Sequence, residues 1–95
     1  KITRIDQYCR DLSVNQHEAC YTGLGVHYPT YTNWDPKVSI DGCLSLIERS
    51  SQLLCIYGVA SDFSSRSEYL NQAKEICNRL KPDEKIACSK RSGLI

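Results

Sequence analysis

Ninety-five residues with six cysteines and a formal net charge of +1 describe one domain, since a chain this short has room for a single core. The near-neutral charge excludes a dedicated nucleic-acid binder, which carries a marked basic excess. Hydrophobic residues at 41% and charged residues at 24% match globular usage, so the chain is expected to fold, and no apolar run reaches the roughly 18–20 residues needed to cross a bilayer.

The first predicted element is a helix. Thr3 and Asp6 resemble a capping pair, and Ile5, Tyr8, Cys9 and Leu12 recur at i, i+3, i+4 and i+7, the spacing of one buried face. Past residues 13–16, either a second short helix runs to Cys20 or Tyr21 and closes at Gly23, or one helix passes straight through. Residues 22–37 hold two glycines, two prolines and several β-formers, which argue against a continuous helix and predict a long loop. The longest helical candidate is 38–58, with Ile40, Cys43, Leu44, Ile47, Leu54 and Cys55 on one broad face. Gly58 and the serine-rich stretch 61–67 end it. Ser65-Arg66-Ser67-Glu68 matches a capping box opening another helix, with Tyr69, Leu70, Ala73, Ile76, Cys77 and Leu80 inward. A last short helix begins at Pro82, with Asp83 and Glu84 in its first turn and Lys90 and Arg91 at its far end, matched to the helix dipole. The expected fold class is therefore all-α: a small disulfide-stapled bundle of three to five short helices with one long aromatic-rich loop, residues 1–95 forming a single domain.

Cys9, Cys20, Cys43, Cys55, Cys77 and Cys88 include no C-x-x-C pair, which removes the usual zinc spacings and the thioredoxin-like redox motif. Three disulfides formed in an oxidising compartment remain, and they predict a secreted, extracellular protein. The chain has no Met and opens on Lys1-Ile2-Thr3, so removal of a signal peptide or propeptide is expected. No N-x-[ST] sequon occurs. Six cysteines allow fifteen pairings.

Cys9, Cys43 and Cys77 are spaced by thirty-four residues, and each is followed three positions later by leucine: Leu12, Leu46 and Leu80. Internal 34-residue repeats starting near these cysteines would favour the local bridges Cys9–Cys20 and Cys77–Cys88. Chance placement on helix faces gives the same pattern. An antiparallel helix pair joined at 61–67 would instead favour Cys43–Cys77.

Catalytic sets are missing. His17 and His27 are the sole candidates for a general base near neutral pH, and no H-D-x-C-C, G-x-S-x-G, H-E-x-x-H or Walker-type motif accompanies them. No enzyme activity, cofactor or metal is expected. The candidate binding residues are Tyr28, Tyr31 and Trp34, spaced by three among Pro29, Thr30, Thr32, Asn33 and Pro36. Tyr and Trp offer large contact areas with a polar handle, and neighbouring prolines reduce the entropy lost on docking. Replacing Trp34 by Ala is then expected to weaken partner binding and leave the melting temperature unchanged. Residues 66–95 carry seven Lys/Arg against four acids, a mildly basic face for an acidic receptor patch or anionic lipid headgroups.

The composition resembles that of small secreted helical proteins with six cysteines, ciliate pheromones and various toxins among them, although the cysteine spacing is much wider than in those pheromones. The expected function is that of a secreted, non-enzymatic protein binding an extracellular receptor or other protein target, as a signalling ligand, pheromone or toxin-like effector. One alternative is an extracellular carrier of a small hydrophobic ligand, with Leu44, Ile47, Leu54, Tyr57 and Leu70 lining its cavity. The other is a structural ectodomain of a longer chain.

Overall fold

Six α-helices follow one another in the computed structural model, which describes residues 2–95, with side chains from Arg4 onward. They are α1 (Ile2–Asp11), α2 (Val14–Tyr31), α3 (Pro36–Leu44), α4 (Arg49–Ser64), α5 (Leu70–Asn78) and α6 (Pro82–Arg91), with a 3-10 turn at Ser67–Tyr69 leading into α5. The described residues contain no strand and no helix long and apolar enough to cross a membrane. The all-α, disulfide-stapled expectation holds. The Thr3 side chain of the predicted capping pair lies outside the described residues.

Two expectations are corrected. Helix α2 runs through Gly23, Gly25 and Pro29 to Tyr31, so the predicted long aromatic loop shrinks to residues 32–35. Pro29 forgoes one backbone hydrogen bond, yet its ring is fully buried, and packing of this kind overrides a weak local propensity. The predicted helix 38–58 is broken at residues 45–48. There Leu46 turns inward to 3% exposure, while the Ile47 N–H donates to the Asp6 carboxylate at 3.0 Å. The break raises the helix number to six, above the three to five expected.

Helix α4 is the axis of the molecule. Ile56, Tyr57, Gly58, Val59 and Ala60 are buried in succession, as happens when a helix is covered on all sides. Its closest neighbour is α2. A Cβ on Gly25 would stand 1.9 Å from the Cys55 carbonyl oxygen, and one on Gly58 would stand 2.2 Å from the Thr22 carbonyl oxygen. Two glycines facing each other thus let the backbones touch. Around this crossing lie Tyr21, Phe63, Ala73, Ile76 and the disulfides.

All three bridges are local: Cys9–Cys20, Cys43–Cys55 and Cys77–Cys88, with Cα separations of 5.7, 5.4 and 5.5 Å. Each staples a helix to the next one across a bend. The first cysteine lies in the last turn of α1, α3 or α5, and the second is the seventh residue of α2, α4 or α6. The bends match atom for atom in one respect. The N–H of Leu12, Leu46 and Leu80 donates to the carbonyl of Cys9, Cys43 and Cys77 at 3.2, 3.1 and 3.1 Å. Ser13 and Lys81 follow directly and Glu48 one residue later, the middle bend being one residue longer; all three are extended and serve as N-caps of α2, α4 and α6.

The equivalence extends to side chains in the first two hairpins. His17 and Gln52 are each the fourth residue of their helix. His17 Nε2 donates to the carbonyls of Arg10 and Leu12 at 3.2 and 2.8 Å. Gln52 Nε2 donates to the corresponding carbonyls, Leu44 and Leu46, at 3.1 and 2.9 Å. Both side chains satisfy the orphan acceptors that end a helix.

Candidate functional site

The segment between α2 and α3 is short and tightly specified. The Trp34 N–H reaches back to the Pro29 carbonyl at 2.7 Å, and the Thr32 N–H to the Tyr28 carbonyl at 3.0 Å, closing α2 in the manner of a Schellman turn. Such a closure needs a left-handed residue, and Asn33 supplies it with φ 54°. Trp34 follows in the same region with φ 62°, a conformation that is unfavourable for a bulky side chain by about 1–3 kcal/mol. Asp35 then caps α3 by accepting from the Val38 N–H at 3.2 Å, and Pro36 opens the helix with its fixed φ.

Aromatic packing holds Trp34 in that conformation. Its ring stacks on Tyr69 with centroids 4.7 Å apart and planes 6° from parallel. It meets Phe63 edge-on at 5.3 Å, and Phe63 and Tyr69 meet at 5.6 Å. The Arg66 guanidinium lies 4.7 Å from the Trp34 ring centroid, a cation–π contact. Three elements converge here: the end of α2, the end of α4 and the 3-10 turn before α5. Asp62, one turn before Arg66, has its carboxyl pushed above the usual value by burial, against the pull of Arg66 and His27.

The three binding residues expected from sequence occupy different settings. Tyr31 is 82% exposed and sits beside His27, ring centroids 6.4 Å apart. Trp34 is half-buried and packs on the core, so truncation to Ala would strip the cover from Phe63 and lower the melting temperature, contrary to expectation. Tyr28 is half-buried too. Its ring fills the space that a side chain at Gly42 would need, only 2.6 Å from an added Cβ, and burial raises its phenol pKa. It fastens α3 to α2 and offers little outward surface.

Arg66 and Tyr69 complete the cluster and had no sequence signal as binding residues, because Ser65-Arg66-Ser67-Glu68 reads as a capping box. In the structure Arg66 is the N-cap position of the 3-10 turn and makes no side-chain cap bond, which leaves its guanidinium for Trp34. His17 and His27 are separated by ten residues of one helix, about 15 Å. Of the five residues expected to line a carrier cavity, Tyr57 is buried in the core and Leu54 is half-buried against it. Ile47 is 65% exposed and Leu70 36%, and only Leu44 of the five borders the groove between α3 and α5. Among the described residues no group of three His, Cys, Asp or Glu side chains is placed to hold a metal ion.

Comparison with protein-family models, with curated proteins and with solved structures finds no match for this chain.

Proposed function

We propose that this is a secreted, non-enzymatic protein that acts by binding another protein, as a signalling ligand, pheromone or toxin-like effector, through the face built by Tyr31, Trp34, Arg66 and Tyr69. The observation that carries the reading is the Trp34–Tyr69–Arg66 stack, with exposed Tyr31 three residues before Trp34 in the chain. Trp, Tyr and Arg are the residue types that dominate binding hot spots. Their stacking fixes the rings before any partner arrives, so little side-chain entropy is lost on docking. Three disulfides in so small a domain support the extracellular assignment.

Tyr31 and Arg66 are both exposed, so they can be changed without opening the core. Labelled oxidised protein is titrated onto intact cells from its natural source, and saturable binding is compared between the wild type and the Tyr31→Ala/Arg66→Glu variant. The reading expects at least a tenfold loss of affinity, the size of one hot-spot contact, with the melting temperature lowered by only a few degrees, the size of the lost Arg66–Trp34 contact. Equal binding by the two proteins would place the interface elsewhere.

A further inference from the structure

Helices α3 and α5 each pack on α4, and a groove of about 560 Å³ is left between them. Its volume lies within the roughly 300–1,000 Å³ typical of small-molecule sites. The walls are two helical rows: Pro36, Ile40 and Leu44 at i, i+4 and i+8, facing Gln72, Ile76 and Leu80 at the same spacing. Ile56 of α4 closes the floor and is 2% exposed. Leu44, on the wall, remains 45% exposed, apolar surface that a ligand would cover.

Charge at the rim is uneven. Lys37 pairs with Asp41 at 3.1 Å, and Arg79 stands 3.9 Å from Glu75, so each acid already has a base one turn along its own helix. Arg49 is the third base of the lining, and its acidic partner lies outside the lining. Arg49 bonds Glu84 at 3.0 Å and keeps 47% of its side chain exposed. Arg79 is 82% exposed and its pairing is long, which makes that pair worth little in water. Arg79 immediately precedes Leu80 in the chain, and Arg49 opens α4 after the bend that follows Leu44; both line the groove. Beside its apolar rows the lining thus carries three bases against two acids, and Arg49 and Arg79, though ion-paired, keep 47% and 82% of their side chains exposed.

We propose that this groove binds a free medium-chain fatty acid, with the carboxylate at Arg49 and Arg79 and the chain running toward Pro36. Eight residue steps along α3 make the groove about 12 Å long, the reach of an extended chain of about ten carbons. A peptide fits less well. An extended one would bury backbone N–H and C=O groups against walls whose one uncharged polar side chain is Gln72. A helical one is 10–12 Å across, and a 12 Å length of it fills roughly 900 Å³.

The test is calorimetric titration of the oxidised protein with decanoate, 1-decanol and decyltrimethylammonium, with native mass spectrometry for stoichiometry. Decanoate is expected to bind one per chain, about tenfold or more tighter than decanol, with the cationic amphiphile weakest. Arg79→Gln, at an exposed site, should weaken decanoate about tenfold and leave decanol unchanged. Ile40→Trp should fill the groove and abolish binding of both. Leu44→Glu, exposed enough to spare the fold, should do the same should Ile40→Trp fail to fold. The proposal is overturned by no decanoate binding up to millimolar concentration, by equal affinity for acid and alcohol, or by binding that survives both groove variants. A dimer that Leu44→Glu dissociates would also overturn it, because a second copy would then be the occupant.

Discussion

A single methyl group separates three of the glycines into opposite classes. Gly25 and Gly58 lie where α2 and α4 touch, and a Cβ at either would fall within 1.9 or 2.2 Å of a backbone carbonyl oxygen. Neither helix can yield without displacing the core around Tyr21 and Phe63. Gly25→Ala and Gly58→Ala are expected to cost about 3 kcal/mol each, lowering the melting temperature by roughly 12–24 °C. Gly23 is in the same helix with nothing within 4 Å of its added Cβ, so Gly23→Ala should stabilise by about 0.5–1 kcal/mol through reduced chain entropy. Thermal unfolding of the three variants side by side reads both signs.

Tyr21 gives a second prediction at this scale. Its hydroxyl donates to the Asp6 carboxylate at 2.6 Å, and burial, reinforced by Asp6, pushes its pKa from 10.0 up to about 12. The folded value lies above the unfolded one, so folding favours the neutral phenol. That stabilisation is complete below pH 10 and disappears as pH rises to 12, a loss of roughly 2–3 kcal/mol. Tyr21→Phe should remove this alkaline step. At neutral pH it should cost about 1–3 kcal/mol, since Asp6 loses one of its two donors while still buried, keeping only the Ile47 N–H. Urea unfolding of both proteins at pH 7 and pH 11.5 separates the two effects.

At the scale of elements, the three hairpins explain which parts of the fold the sequence made legible. α1 and α6 were readable as helices because their signals are local, an apolar periodicity in one and Pro82 with matched end charges in the other. The buried face expected of α1 is corrected: Ile5 and Tyr8 are 39% and 64% exposed, while Asp6 and Cys9 turn inward. α2 was not readable, because Gly25 answers to the α4 crossing and Pro29 to burial of its ring, and no local rule anticipates a long-range contact. The break at 45–48 lacks glycine and proline, yet a signal existed. Leu46 stands three residues after Cys43, as Leu12 and Leu80 stand after their cysteines, and taking that register literally would have placed the bend correctly. The candidate site was half legible. Tyr31 and Trp34 stood out by composition, whereas Arg66 and Tyr69 join them through tertiary packing. The same view makes the middle hairpin the sensitive one, since α4 contributes more of the core than any other helix. Replacing Cys43 and Cys55 together by Ala should cost roughly 2–4 kcal/mol, measured by urea denaturation against the wild type.

Across the whole molecule, α6 is fastened by polar contacts to two other helices. Arg91 pairs with Glu18 and lies over the Tyr57 ring, Arg49 pairs with Glu84, and Ser64 Oγ donates to the Ser92 carbonyl at 2.7 Å. These contacts and the glycine crossing join hairpins that share no covalent bond beyond the chain itself. Oxidised protein should weigh about 6 Da less than its reduced form, two hydrogens per bridge.

In covalent outline the molecule is three small rings threaded on one string. A protease nick inside a ring, at residues 45–48 for instance, leaves both pieces tethered by sulfur. A nick between rings, at residues 32–35 or 65–69, leaves pieces held by packing alone, and they part in denaturant without any reductant. Non-reducing electrophoresis after limited digestion would show the difference directly. In an environment rich in proteases, the covalent integrity of this protein would rest on two connecting segments, and the Trp34 and Arg66 side chains lie on them.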